Sequence, residues 1–272
     1  MGTSQSSVGP GAAVPMVPPW ADDLSPEPGD RNEPPSDEDG NPAEPPAVPV
    51  ASPARFRDAR RNLGSFTRTG DRRGLRRSLG YYVTHGYGGA GTLTRRLSGT
   101  ASTAGCLGGV LLSGLRPDGT ALRNLALSAA TDVNVVMDAI VETVRPTDGT
   151  QDAEASRKAI RDALSDLLDR FPDADLLALD DSQRSFVIER YVALDVYNRF
   201  CLDMLKTIMA KAPDQTTALA RLKQVRSFIT ETVAASFRTV RDRGVPTTTS
   251  NIVNLTKQAL AETFSVFEEY LA

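Results

Sequence analysis

The residue with the clearest capacity for covalent chemistry is Gly2. Removal of the initiator methionine ahead of so small a side chain leaves a free α-amine on Gly2, followed by the short residues Thr3 and Ser4. An α-amino group has a pKa of about 7.7–8.0, so a useful fraction is an uncharged nucleophile at neutral pH. An amine this unhindered can thread a narrow pocket of another protein, with Thr3 and Ser4 behind it. Farther along, Val14-Pro15-Met16-Val17-Pro18-Pro19-Trp20 sets the single tryptophan of the chain among apolar and proline residues. One reading is a docking motif in extended polyproline form, in which Val14, Pro15, Val17, Pro18, Pro19 and Trp20 grip a partner. The other is that Trp20 folds back onto its own domain.

Other chemically capable residues lack the company that chemistry requires. Gly86-Tyr87-Gly88-Gly89-Ala90-Gly91 matches GxGxxG. No strand precedes it, no acidic residue follows about twenty positions on, and Thr92 has no preceding lysine, so a tightly turning or mobile glycine loop is the better reading. His85 is the one histidine, and no nucleophile and orienting carboxylate surround it in sequence. Cys106 and Cys201 stand far apart without CxxC spacing, which indicates neither a disulfide framework nor a zinc site and fits a reducing, cytoplasmic location. Asp195 and Arg199 fall one helical turn apart and read as a structural ion pair rather than a catalytic one. Asp173, Asp175, Asp180 and Asp181 sit between helices, where capping accounts for them. No constellation of an enzyme is visible, and no metal or cofactor site; the chain reads as a substrate, adaptor or effector subunit.

Charge is sharply segregated. The net charge of −3 conceals nine acidic residues against Arg31 alone before residue 53. From 53 to 78 the balance inverts, with nine arginines against Asp58 and Asp71. Of these, Arg55, Arg57, Arg60, Arg61, Arg72, Arg73, Arg76 and Arg77 are candidate contacts to nucleic acid or to an acidic protein, because the planar guanidinium fork binds phosphate and carboxylate bidentately. Without regularly spaced stacking aromatics or a helix-turn-helix or zinc signature, nucleic acid is the lesser reading.

The elements that must hold these residues follow from pattern. Residues 1–52 read as a disordered Pro-, Gly- and acid-rich tail that spans about 40 Å as a flexible coil, enough to carry Gly2 to a partner's active site. Residues 53–117 read as a basic, Gly-rich helical segment. Ser52 and Pro53 open its first helix, with Phe56, Ala59, Arg60 and Leu63 at helical spacing, and Gly64, Gly70, Gly74 and Gly80 break it into short pieces. The uncharged run 98–115 is too rich in Gly and Ser to span a membrane and suits close helix packing.

Residues 118–272 read as an α-helical bundle. Its helices are predicted over 120–145, with Val133, Val136, Met137, Ile140, Val141 and Val144 apolar; over 152–171; over 181–211, apolar around most of its circumference and therefore central; from Asp214 or Thr216 to 243, carrying Leu219, Leu222 and Val225; and from a Ser250 cap to the C-terminus. The N-terminus lacks the pattern of a secretory signal, and no apolar run reaches membrane-spanning length. The fold class is all-α.

Two modifications suit Gly2. Met1-Gly2-x-x-x-Ser6 satisfies the N-myristoylation pattern, but the Ala-, Arg- and Gly-rich composition looks like that of a high-GC bacterium, where that pathway is not expected. The second comes from a resemblance. Met1-Gly2-Thr3-Ser4-Gln5-Ser6-Ser7, then Gly9-Pro10-Gly11 and Val17-Pro18-Pro19-Trp20-Ala21-Asp22, resemble the start of the QatB family of bacterial Qat anti-phage systems. The stretch from Phe56 to Asp71 is similar to that family too, while the helical remainder carries no diagnostic motif. The resemblance implies three neighbours: an ATPase, a QueC-like enzyme of 7-deazapurine metabolism (QatC type) and a TatD-like DNase. It further implies that the QueC-like partner binds this chain and conjugates a deazaguanine-type group to Gly2, with ATP and the 7-deazapurine bound by that partner. A DNA-binding adaptor built on Arg55–Arg77 that guides a nuclease, and a plain helical scaffold, remain open beside it.

Overall fold

The computed structural model describes residues 54–115, 119–122, 132–243 and 251–272. Among the described residues the chain is all-α, with one isolated antiparallel bridge between Leu115 and Ala121. The helices of these residues are α1 (Arg57–Thr69), α2 (Arg72–Tyr81), α3 (Ala90–Arg96), α4 (Ser98–Ser113), α5 (Val133–Val144), α6 (Gln151–Arg170), α7 (Asp181–Lys211), α8 (Gln215–Asp242) and α9 (Ile252–Glu269). None of them is long and apolar enough to cross a membrane. The tail 1–52, its Trp20 motif, the Ser52–Pro53 start and the Ser250 cap lie outside the described residues.

Local chemistry sets the helix ends. Asp180 caps α7 by accepting from the Gln183 amide while the Gln183 side chain accepts from the Asp180 amide, a reciprocal capping box. Thr150, Asp214 and Asp71 cap α6, α8 and α2 in a one-sided way, each oxygen satisfying a first-turn amide that has no intrahelical acceptor. Gly70 ends α1 in the left-handed region, at φ 78°, where a side chain would be strained.

The other glycines expected to interrupt this segment do not. Gly64 lies inside α1, and Gly74 and Gly80 inside α2. A Cβ on Gly74 would sit 3.1 Å from the Phe66 amide nitrogen, and one on Gly80 would sit 2.7 Å from Leu271 Cγ. These positions are bare because α1 and the C-terminal end of the chain press against α2 there, not because the chain turns.

One hydrophobic core runs from Phe56 to Phe267 and takes residues from every helix. Helix α7 packs against α1, α4, α6 and α8. A second hub complements it: α9 packs against α2, α3, α4 and α8. Helix α4 passes between the two hubs, and its glycines permit this; a Cβ on Gly105 would sit 2.5 Å from Val253 Cγ2, and one on Gly108 would collide with Ile252 Cδ1. Two apolar residues assigned to inner faces point outward instead: Val133 is 42% exposed at the first position of α5, and Leu219 is 64% exposed in the second turn of α8. Both stand near helix starts.

Candidate functional site

The nine tail positions proposed for modification and partner binding, Gly2, Thr3, Ser4, Val14, Pro15, Val17, Pro18, Pro19 and Trp20, lie outside the described residues. The arginine segment is described, and it divides in two. Arg57, Arg61, Arg72, Arg73, Arg76 and Arg77 are exposed on α1 and α2, which pack on one another across the Gly70 turn. Arg76 extends over the Tyr270 ring, 5.6 Å from its centroid. Arg55 and Arg60 turn inward. Arg60 is half-buried and donates from Nη2 to the Asp203 carbonyl oxygen at 3.4 Å. Arg55 is 6% exposed, with its guanidinium 4.4 Å from the Phe56 ring centroid and 4.9 Å from that of Tyr87. Burial of Arg55 takes it out of the row of surface contacts.

What Arg55 enters is a polar seam along α7. Asp195, Arg199 and Asp203 recur every four residues and so share one stripe of the helix. Asp195 is fully buried; its Oδ2 accepts from the Thr100 hydroxyl at 2.6 Å and from Arg199 Nε at 3.0 Å. Arg199 reaches on to Asp152 of α6, at 2.9 Å. Burial works against the Arg199 charge, but Asp195 and Asp152 outweigh it and hold the guanidinium more firmly protonated than a free arginine. The expected Asp195–Arg199 pair is therefore present as a structural tie that joins α4, α6 and α7.

One turn farther on, Asp203 Oδ2 accepts from the Tyr87 hydroxyl at 2.8 Å and from the Tyr82 hydroxyl at 3.0 Å. Burial pushes the Asp203 carboxyl above the ordinary aspartate range, opposed by those two hydrogen bonds and by Arg55 and Arg60. Burial, with Asp203 adding to it, also raises both tyrosine hydroxyls, so they serve as donors and not as phenolate nucleophiles. Phe56 stacks on Tyr82, and Tyr87 and Phe200 meet these rings edge-on, with ring centroids 5.1–5.6 Å apart. Tyr87 is the second residue of the GxGxxG match. Gly88 and Gly89, at φ 75° and 105°, turn the chain tightly from the π-helical turn Tyr82–Gly86 into α3. The glycine motif is thus the tight turn that aims Tyr87 at Asp203.

His85 lies apart from this seam, exposed, with Nδ1 3.4 Å from Asp58. Both cysteines are free and half-buried; burial raises the Cys106 thiol and pushes Cys201 up to about 11, so neither is a thiolate at neutral pH. Among the described residues no three His, Cys, Asp or Glu side chains gather in a way that could hold a metal. Local spacing is enough to find Asp195 and Arg199. It does not bring in Asp203, Tyr82 and Tyr87, although a second carboxylate four residues beyond Arg199, on the same stripe of the helix, is the available signal.

The family model described as "QatB: Qat anti-phage system associated protein QatB" matches residues 88–267, about two thirds of the chain. The match begins inside the glycine turn and ends in the last turn of α9, so it covers the body from α3 to α9. Asp195, Arg199 and Asp203 of the seam all lie within it, and Tyr87 stands one residue before its start. No curated protein and no solved structure matches the chain.

Proposed function

The chain belongs to the QatB family and is a component of a Qat anti-phage defence system; from that premise we propose that it is a non-catalytic subunit whose N-terminal glycine is bound and modified by a QueC-like partner. The observation that carries the proposal is the opening Met1-Gly2-Thr3-Ser4 on a family member whose first 52 residues are rich in Pro and acid. After removal of Met1, the neutral Gly2 amine attacks the carbonyl carbon of an adenylate-activated carboxyl on a deazaguanine-type base. The amide C–N bond forms, the acyl C–O bond to phosphate breaks, AMP leaves, and the amine releases its proton to solvent. ATP and the 7-deazapurine belong to the partner's site. The chain contributes the nucleophile, the small residues Thr3 and Ser4 that admit it, and the Val14–Trp20 stretch that grips the partner.

Intact-mass and N-terminal peptide analysis after co-expression with the QueC-like protein tests this. The expected result is a mass increase confined to Gly2; an unmodified Gly2 in a complex that still defends against phage would sink it. Trp20→Ala should weaken binding of the partner and leave the thermal midpoint of the free chain unchanged.

A second reading is favoured by the exposed arginines of α1 and α2. As a DNA-binding adaptor for the TatD-like DNase, the chain would bind duplex DNA through Arg57, Arg61, Arg72, Arg73, Arg76 and Arg77. Its affinity would fall steeply with salt, because each neutralised phosphate releases condensed counterions. No affinity at low salt excludes that role.

A further inference from the structure

Two adjoining cavities, of about 650 and 140 Å³, share Arg96, Gln151, Asp152 and Arg199 as lining residues and form one cleft between α4, α6 and α7. The larger part is of the size that holds a small-molecule ligand. Arg145, Thr103 and Ser156 complete the walls of the larger part; Arg55, Tyr87 and Asp203 line the smaller.

Three features of the cleft favour an oxyanion. Gly99, in the first turn of the 16-residue α4, and Thr150 with Gln151, at the start of the 20-residue α6, both line it, so the positive ends of two helices meet there. Arg96 lines both parts, is half-buried and has no hydrogen-bond or ion-pair partner among the described residues. Arg55 is more than nine-tenths buried, lines the inner end and makes no hydrogen bond to the described residues; its Nε is a buried donor without an acceptor among them. Ring faces and the nearby Asp203 offset part of that cost, but the Nε donor itself is left unanswered among the described residues. The acidic residues of the cleft are already engaged: Asp148 with Arg145, Asp152 with Arg199, Asp203 with two tyrosines.

We propose that this cleft binds a phosphorylated small molecule of nucleotide size, with its phosphoryl oxygens on Arg96 and the first-turn amides of α4 and α6 and a second polar group reaching Arg55. Thr103 and Ser156, whose hydroxyls meet Tyr191, wall the larger cavity against the remainder of the ligand. Binding there does not require modification of Gly2.

The test uses the full chain, with inorganic phosphate and AMP as probes, titrated calorimetrically against sodium chloride of matched ionic strength. Saturable binding of phosphate, and tighter binding of AMP, are expected. Arg96→Ala should weaken both by about tenfold or more, since a guanidinium–phosphate contact is among the stronger hydrogen-bonded pairs. Because Arg96 has no partner to lose among the described residues, the thermal midpoint of the unliganded variant should match the parent; Arg238→Ala, an exposed arginine outside the cleft, should bind as the parent does. Arg55→Met should weaken AMP more than phosphate. A response no different from chloride, or Arg96→Ala binding like the parent, overturns the site, and AMP binding no tighter than phosphate overturns the size of the ligand. Phosphate binding that emerges only when the nine tail carboxylates are changed to amides shows instead that the chain's own acidic tail fills the cleft, and overturns the proposal.

Discussion

Asp203 illustrates how one buried carboxylate is held at the residue scale. Two tyrosine hydroxyls and the nearby arginines favour its charge, yet burial wins and raises its proton affinity. A carboxyl whose folded pKa lies above its unfolded value, about 3.9, binds its proton more tightly in the folded state. Stability from that protonation is present below the unfolded pKa and is lost as pH rises through the folded one. Asp203→Asn removes the titration, so its urea midpoint should change less between the two values than that of the parent; Glu189, also raised by burial, titrates in both. Parallel pH profiles for the two proteins would assign the titration elsewhere. Tyr87→Phe deletes one of the two hydroxyl donors while keeping the ring against Phe56, and should cost about 1–3 kcal/mol in urea unfolding, the range for leaving a buried polar group short of a partner.

At the scale of the element, α4 is the informative case. It has no charge, and its small residues let it lie between α7 and α9. Adjacent glycines of this helix face different surroundings. Gly108 is buried against Ile252 and Ile188, whereas a Cβ on Gly109 meets nothing within 4 Å. Gly109→Ala should therefore stabilise the protein by up to about 1 kcal/mol, the difference in helix propensity between the two residues. Gly108→Ala gains the same propensity but forces Ile252 aside, and overpacking of this kind costs about 1–3 kcal/mol. Thermal midpoints should move in opposite directions; a gain in both would mean that Ile252 adjusts without strain.

The same element shows what pattern reading captures. The uncharged stretch 98–115 reads as a site of close packing, and α4 occupies 98–113. The span of α7 is legible because its signals are local: Asp180 and Gln183 three apart at one end, and apolar residues around most of its circumference up to Met209. The glycines of α1 and α2 mislead for the converse reason. Glycine is required both where a chain turns and where another helix approaches, and only the position of that other helix tells the two apart.

At the scale of the molecule, the arginine segment and the later bundle share a core. Leu63, Phe66, Leu75 and Leu79 belong to the same buried cluster as Val192, Phe200 and Phe264. A boundary near residue 117 is then a change in composition that the packing bridges. Urea unfolding should show one transition, coincident by far-ultraviolet circular dichroism and by tyrosine fluorescence. Two separated transitions would make 53–117 a unit that unfolds on its own. The family match is likewise distributed over the molecule. It covers 88–267, after the stretches 1–22 and 56–71 that carry the resemblance read from the sequence, so the two lie on different parts of the chain.

Residue order alone is enough for the all-α class, for the spans of α6 to α9 with the Asp180 and Asp214 caps, for the Asp195–Arg199 tie, and for the segregation of acid before residue 53 from arginine after it. Each is decided by residues within a turn or two of one another, and periodicity and charge order are visible at that range. Tertiary structure alone decided that Arg55 is buried while Arg57 and Arg61 are exposed, that Tyr82 and Tyr87 meet a carboxylate 121 and 116 residues away, and that the starts of α4 and α6 converge on Arg96. Those juxtapositions depend on how helices cross, and the crossing is set by the summed packing of the whole core, which no local spacing records.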